Sequence, residues 1–243
     1  MPHLEIASFN LFSAQTAAAT GASRIELCRS PSVGGLTPLL STFLSLKPSP
    51  TTITTTRIPI YVMIRPHATS FTYNSTELLE MESSIRDFSE AGADGFVFGV
   101  LTAAPSPALA PPINVQIDVE ANKRLVRAAG GKPCTFHRAF DCIPRAAMRA
   151  QLEVLVGCGF AAVLSSGGAR TAVEGQGKEV LRGLVEAAGE RIDVIVGGGV
   201  RVGNVGELMR GTGARWFHSS AIVDGGEAAS GEEVRGLRGV IDS

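Results

Sequence analysis

The sequence has almost no excess charge and no long apolar run, and each shortage excludes a class of protein. Its 243 residues include 22 basic and 23 acidic side chains, which gives a net charge of −1. Such a chain has no basic field with which to attract nucleic acid or anionic lipid. No window approaches the roughly 20 apolar residues that a membrane-spanning helix requires. We therefore expect no nucleic-acid partner and no membrane partner.

Cysteine is also scarce. The four cysteines are Cys28, Cys134, Cys142 and Cys158, and none of them forms a Cys-x-x-Cys pair. Structural zinc sites and secreted disulfide scaffolds usually show closely spaced cysteines, so we expect neither. The first twelve residues lack the basic segment and apolar run of a secretory signal. Together these absences predict a cytoplasmic protein.

Short apolar stretches alternate with helical patterns along the whole chain. Eight units of this kind predict parallel crossovers that close into a (β/α)8 TIM barrel, formed as one domain by residues 1–243. The alternative is an open doubly wound sheet, which usually carries a nucleotide fingerprint after its first strand; residues 8–12 supply none. The strands are predicted at 3–7, 23–28, 58–64, 95–100, 132–136, 160–164, 192–196 and 215–217.

Two segments interrupt this alternation. Residues 47–57 are mostly proline, serine and threonine, and residues 103–114 contain four prolines. Such compositions are typical of exposed loops. We assign them no chemistry.

The segment 132–141 is the most informative stretch of the chain. Its apolar first half ends in His137, Arg138 and Asp141. Barrel strands deliver functional groups from their carboxyl ends, so we predict His137 and Asp141 as catalytic residues and Arg138 as an anion ligand. The alternative is that Arg138 and Asp141 pair with each other and cap the next helix.

Glu5 and Glu26 lie within predicted strands, where an unpaired carboxylate is rarely buried. They need a cationic partner, and Arg24, Arg65, Arg138 or a metal ion could provide one. One interpretation is a salt-bridge layer that fills the barrel. The other is a ligand site in which Glu5 and Glu26 move protons. The residues alone favour neither.

A metal site is predicted from the remaining strand ends. Cys28 shares a face with Glu26, because residues two apart in a strand point the same way. His137 and His218 follow two other strands, so Cys28, His137 and His218 are the predicted metal ligands. Cys134 faces away from His137 and is expected to pack in the core.

Glycine and serine follow the last three strands. Their exposed backbone amides, next to a helix N-terminus, are typical of anion or phosphate sites in this architecture. Tight turns are the other common reason for such glycines. The predicted anion ligands are Arg65, Arg138, Ser165, Gly198, Gly199 and Ser219.

Taken together, these motifs resemble the copper homeostasis protein CutC family. The matching pieces are RIELC at 24–28, GGLTP at 34–38, TFHRAFD at 135–141, LSSGG at 164–168, the triple glycine at 197–199 and HSS at 218–220. The resemblance implies a cytoplasmic TIM barrel, often oligomeric, that is associated with copper tolerance and proposed to bind Cu(I). Cysteines near the ends of the first two strands are the ligands proposed in some members. Here the second is Cys28, whereas the first strand ends Ile6-Ala7-Ser8.

Two functions therefore stay open. The first is a copper-binding homeostasis protein with Cu(I) at Cys28 and an imidazole. The second is a TIM-barrel enzyme of lyase, isomerase or hydrolase type that acts on a small anionic or phosphorylated substrate. In that enzyme the arginines hold the anion and a glutamate or His137 moves a proton. A homo-oligomer is compatible with both.

Overall fold

The computed structural model describes residues 1–47, 58–103, 115–223 and 225–243. Its barrel closes in the circular order β1-β2-β3-β4-β7-β8-β9-β10, with every pairing parallel. This arrangement confirms the (β/α)8 prediction. The strands are β1 (His3–Ser8), β2 (Arg24–Leu27), β3 (Ile60–Met63), β4 (Gly95–Phe98), β5 (Leu101–Ala103), β6 (Val115–Ile117), β7 (Cys134–Phe136), β8 (Ala162–Ser165), β9 (Asp193–Val196) and β10 (Trp216–Ser219).

Helices follow the barrel strands and surround them. They are α1 (Leu11–Thr20), α2 (Leu40–Leu44), α3 (Ser75–Glu90), α4 (Val119–Ala128), α5 (Arg145–Cys158), α6 (Gly177–Ala188), α7 (Val202–Thr212) and α8 (Gly231–Ile241), with short 3-10 helices at Pro31–Val33 and Arg138–Cys142. In the described part of the chain, no helix is both long and apolar enough to cross a membrane.

Local capping explains several of these boundaries. The Asn74 side chain accepts hydrogen bonds from the first amides of α3, and the Glu77 carboxylate accepts one from the Asn74 amide, which completes a capping box. The predicted cap Asp118 accepts from the Ala121 amide at the start of α4. Gly21 ends α1 with φ of 111°, a left-handed conformation that glycine adopts readily.

Two features differ from the sequence-based expectation. The helix predicted at 205–209 extends over the whole of α7, although glycines interrupt its apolar pattern. Gly206 allows close packing, because a side chain there would approach Val240 of α8 to 3.3 Å. The second difference is a two-stranded antiparallel hairpin of β5 and β6, which border the segment predicted as a loop. Residues 104–114 and 48–57 of the two predicted loops lie outside the described residues.

The alternation of side chains in β1 separates the core from the barrel interior. Leu4 and Ile6 are fully buried in the main hydrophobic cluster. Glu5, between them, is also fully buried but bonds to Arg24 and His218. Cys134 joins the main hydrophobic cluster, as predicted. The barrel interior is therefore polar near its carboxyl end, and this polarity positions the site.

Candidate functional site

A cavity of about 310 Å³ opens at the carboxyl ends of the barrel strands. We call it the mouth cavity. Four of the residues predicted as acids, thiol or imidazoles line it: Glu26, Cys28, His137 and His218. Five of the predicted anion ligands also line it: Arg65, Arg138, Gly198, Gly199 and Ser219.

Glu5 belongs to the site although it does not line the mouth cavity. Its Oε1 accepts a hydrogen bond of 2.8 Å from Nδ1 of His218, and its Oε2 accepts one of 2.5 Å from Nε of Arg24. The same Nδ1 of His218 lies 3.4 Å from Oε2 of Glu26. We call Glu5, Glu26 and His218 the floor cluster. Their ligand atoms lie within 4.8 Å of one another.

Strand order brings the floor cluster together. Glu5 is on β1, Glu26 on β2 and His218 on β10, and these three strands are neighbours in the closed sheet. The register places Glu5 opposite His218 and Ala7 opposite Glu26. The inward-facing carboxylates and imidazole therefore meet at adjacent positions around the barrel.

Arg24 supplies the counter-charge to Glu5. Its guanidinium lies 4.1 Å from the ring centroids of both Tyr61 and Trp216. These stacking contacts hold the cation in a buried position. For Glu5 the salt-bridge interpretation therefore applies, whereas Glu26 has no arginine partner among the described residues and its Oε2 makes no hydrogen bond.

The two glutamates titrate in opposite directions. Burial raises the pKa of Glu5, but Arg24 and His218 outweigh burial and lower that pKa to about 2. For Glu26, burial and the nearby Glu5 charge outweigh the attraction of His218, and the pKa rises to about 7. Burial lowers the pKa of His218, yet Glu26 and Glu5 together raise it above its ordinary value. The floor cluster therefore holds one carboxylate that stays ionised, Glu5, beside one whose pKa lies near neutrality, Glu26.

The predicted metal ligands Cys28, His137 and His218 do not form one coordination group among the described residues. His137 follows β7, which lies opposite β1 in the circular order, whereas Cys28 and His218 follow β2 and β10. In place of His137, the described residues bring Glu5 and Glu26 into coordination range of His218. Cys28 lies beside this group, with its Sγ 3.9 Å from Oε1 of Glu26. Burial raises the pKa of the Cys28 thiol well above its ordinary value.

Met63 is a second sulfur-bearing side chain in the mouth cavity. Cys28 Sγ and Met63 Cε would both lie 3.5 Å from a side chain placed on Gly35. The sequence analysis missed Met63 because it did not consider a thioether as a possible ligand. Its position inside β3, two residues before Arg65, is the signal that could have identified it.

His137 is buried and uncharged. Burial and the nearby Arg65 lower its pKa to about 3. Its Nδ1 accepts a hydrogen bond from the Ala139 amide at the start of the 3-10 helix. Its Nε2 has no partner among the described residues. His137 therefore presents a neutral imidazole to the mouth cavity.

Arg138 and Asp141 pair with each other, at 2.8 Å, as the alternative interpretation anticipated. Asp141 also accepts from the Ser165 hydroxyl at 2.6 Å and from the Ser166 and Gly168 amides. These bonds fix the loop after β8. Asp141 and Ser165 do not line the mouth cavity, so the geometry gives both a positioning role.

Arg201 is a further residue that the sequence analysis missed. It lines the mouth cavity, and its Nη1 donates to the Ser219 hydroxyl at 3.0 Å. Ser219 in turn donates to the Val200 carbonyl at 2.8 Å. The position of Arg201, directly after the glycine turn that follows β9, is the signal that could have revealed it.

Comparison with known proteins agrees with this geometry. The model of the CutC family matches residues 3–223. A CutC protein of Porphyromonas gingivalis is 41% identical over 217 residues, which cover 89% of this chain and 79% of that protein. The copper homeostasis protein cutC homolog of Caenorhabditis elegans is 37% identical, over 90% of this chain and 80% of that protein.

Solved structures show the same relationship. The CutC protein of Streptococcus agalactiae superposes with a TM-score of 0.77 at 32% identity, over 90% of this chain and 99% of that one. Phosphoribosylanthranilate isomerase of Pyrococcus furiosus, at 14% identity and a TM-score of 0.63 over 100% and 99% of the two chains, shares the barrel fold alone. By family model, sequence and structure, this chain belongs to the CutC family.

Proposed function

We propose that this protein takes part in intracellular copper homeostasis and binds copper ions as cargo in the mouth cavity. Two relatives support this proposal, because the Caenorhabditis elegans and Streptococcus agalactiae proteins are both named as copper homeostasis proteins. The observation that carries it is the floor cluster, in which Glu5 holds His218 beside Glu26, next to the Cys28 thiol.

The donors favour different oxidation states of copper. Imidazole and carboxylate suit Cu(II), whereas Cu(I) prefers thiolate and thioether. Glu26 and His218 therefore form the Cu(II)-type part of the site. Cys28 and Met63 form the Cu(I)-type part, and Met63 partly supplies the soft donor that the first strand lacks. Both parts border the same cavity.

The floor cluster alone is an unsuitable cage for Cu(I), because it contains no sulfur. Binding of Cu(I) would therefore depend on Cys28, and binding of Cu(II) on Glu26 and His218. This difference gives each residue its own test. Glu5 acts in this proposal by holding His218 in place, since its two oxygens already accept bonds from His218 and Arg24.

The test is competition between the full-length protein and a chromogenic chelator, performed separately for Cu(I) and Cu(II). We expect Cys28→Ser to weaken Cu(I) binding and Glu26→Gln to weaken Cu(II) binding, each by about tenfold or more, the loss expected when a ligand or its support is removed. Cys134→Ser and His67→Asn are matched controls, because Cys134 packs in the core and His67 pairs with Glu77 outside the cavity. If the wild-type protein competed with the chelator for neither Cu(I) nor Cu(II), the proposal would be rejected.

We further propose that the protein is cytoplasmic. The free thiols among the described residues, including the exposed Cys142, suit a reducing compartment. A homo-oligomer remains an expectation from the family resemblance. The enzymatic alternative also remains a prediction.

A further inference from the structure

Within the described ranges, two arginines of the mouth cavity have no acidic partner. Arg65 and Arg201 both line the cavity, and neither forms a salt bridge with any carboxylate in the described ranges. Arg65 is only 6% exposed, and its Nη1 is held by the Val33 and Gly35 carbonyls. Its Nε remains without a partner among the described residues. Buried cations are usually paired with an anion, so these arginines favour the binding of a negatively charged group in the cavity.

The loop after β9 offers backbone donors to the same cavity. Gly198 and Gly199 have φ values of 88° and 76°, a left-handed pair that turns successive amides toward one side. Neither amide donates to an acceptor among the described residues, whereas the preceding Gly197 amide bonds to Ser165. These two amides are thus free to bind an oxygen anion.

Arg138 adds a charged donor beside these amides. A side-chain carbon on Gly198 would lie 3.2 Å from both Cζ and Nη1 of Arg138. The Nε and Nη2 of Arg138 are already bound to Asp141 and Ser166, whereas its Nη1 has no acceptor within the described chain. The absence of a side chain at Gly198 leaves this guanidinium edge open.

An independent observation comes from the end of β7, two strands away from β9 in the closed sheet. His137 is 3% exposed and lines the cavity, and its Nε2 has no partner among the described residues. Because Nδ1 accepts from the Ala139 amide, the ring hydrogen is on Nε2. A buried donor without an acceptor is costly unless a ligand supplies one.

Among the described residues that follow β7 and β9, the unpaired polar groups at the cavity are donors: His137 Nε2, Arg138 Nη1 and the two glycine amides. Glu26 is the only carboxylate among the described residues that line it, and His218 compensates its charge. The cavity, at about 310 Å³, is at the lower end of the size range of small-molecule sites, roughly 300 Å³ upward. It is larger than a lone metal ion requires.

We propose that this donor-lined side of the mouth cavity is a binding site for a small organic phosphate monoester. The Gly198 and Gly199 amides and Arg138 Nη1 bind the phosphate oxygens, and Arg65, which lines the cavity after the facing strand β3, adds positive charge at longer range. The loops after the last two barrel strands are where TIM barrels commonly hold phosphate. The proposal does not depend on copper.

The test is isothermal titration of the full-length, metal-free protein with inorganic phosphate and with glycerol phosphate. We expect saturable binding of both, tighter for glycerol phosphate, and weaker at high salt because the contacts are ionic. Gly198→Ala should weaken phosphate binding by at least about tenfold, because its methyl group would occupy the space beside Arg138. His137→Asn removes the Nε2 donor and should therefore weaken glycerol phosphate binding. The asparagine side chain keeps an acceptor for the Ala139 amide.

The matched control is Gly213→Ala. Gly213 also has a left-handed φ, of 69°, but no atom of the described residues lies within 4 Å of a side-chain carbon placed there. Equal thermal stability of the two variants, together with a loss of binding in Gly198→Ala alone, would support the proposal. No saturable phosphate binding, or equal binding by both variants, would overturn it. If acetate bound as tightly as phosphate, the site would not be specific for phosphate. If inorganic phosphate and glycerol phosphate bound with equal affinity, the site would not recognise the organic group of a monoester.

These results are independent of the copper proposal, because the titration contains no metal. A protein that binds copper but no phosphate would reject this inference alone. A protein that binds phosphate but no copper would reject the proposed function alone.

Discussion

Oε1 of Glu5 lies 2.8 Å from Nδ1 of His218, although 213 positions separate the two residues in the chain. The contact spans the seam at which β1 pairs with β10, where the register sets Glu5 directly opposite His218. Closure of the barrel and assembly of the floor cluster are therefore one event. The cluster cannot form in a partly folded chain that lacks the last strand.

Removal of the Arg24 side chain should destabilise the protein strongly. Arg24→Met removes the arginine partner of the fully buried Glu5 carboxylate and leaves only His218 beside it; breaking a buried ion pair typically costs about 3 to 5 kcal/mol. Urea unfolding of both proteins measures this loss. The double variant Glu5→Gln with Arg24→Met should recover much of it, because no charge then remains unpaired. Equal stability of the single variant and the wild-type protein would contradict the salt-bridge account.

His137 should make the fold sensitive to acid. Burial and Arg65 lower its folded-state pKa from 6.5 to about 3, so the unfolded chain binds this proton first as pH falls. The stabilising contribution is complete above the unfolded pKa and is lost progressively below it, by about 2 kcal/mol between pH 8 and pH 5.

The measurement is the free energy of unfolding of wild-type and His137→Asn proteins across this pH range. Asparagine keeps an acceptor for the Ala139 amide but does not titrate. The difference between the two proteins should shrink as pH falls from 8 to 5. A pH-independent difference would show that His137 has the same pKa in the folded and unfolded chains, and would contradict the lowered pKa.

Asp141 should act on stability through the loop after β8. Asp141→Asn converts a charged acceptor of several buried bonds into a weaker one, and each charge-assisted bond contributes about 1.5 to 3 kcal/mol. We expect a loss of about 2 to 4 kcal/mol in the free energy of unfolding. Asp87→Asn, on the exposed face of α3, is the control and should change stability little. If both substitutions have the same small effect, the positioning role is refuted.

Copper affinity should rise with pH. Glu26 has a pKa of about 7, and the pKa values of His218 and Cys28 are raised. Each ligand must lose its proton before it coordinates, so the metal competes with protons. Dissociation constants measured at pH 6, 7 and 8 should fall by about tenfold per pH unit for each proton displaced. Affinity that is constant over this range would exclude these groups as ligands.

The barrel and much of its mouth were predictable because strand and helix patterns differ in period, and because barrel strands present their carboxyl ends on one side. Glu26, Cys28 and His218 were identified in this way. The carboxyl-end rule was applied without the order of the strands around the barrel, which places the fifth strand opposite the first. For that reason it grouped His137 with Cys28 and His218, whereas β7 lies opposite β1.

The hydrogen-bond partners of Asp141 and Ser165 in the loop after β8 could not be predicted from the sequence either. Asp141 and Ser165 lie at strand ends, as functional residues do. Their side chains, however, bond to each other and to amides of the loop after β8, and they do not line the cavity. Arg201 and Met63 reach the cavity through side-chain length and strand register, which depend on the assembled barrel. Spacing alone could not distinguish a residue that lines the cavity from one that supports it.

The most direct test of the central claim is an anomalous difference map, recorded at the copper absorption edge from crystals of the protein grown with copper. We predict a peak in the mouth cavity within coordination distance of Glu26, His218 or Cys28. A map in which copper appears only elsewhere, such as at the exposed Cys142, or not at all, would contradict the account.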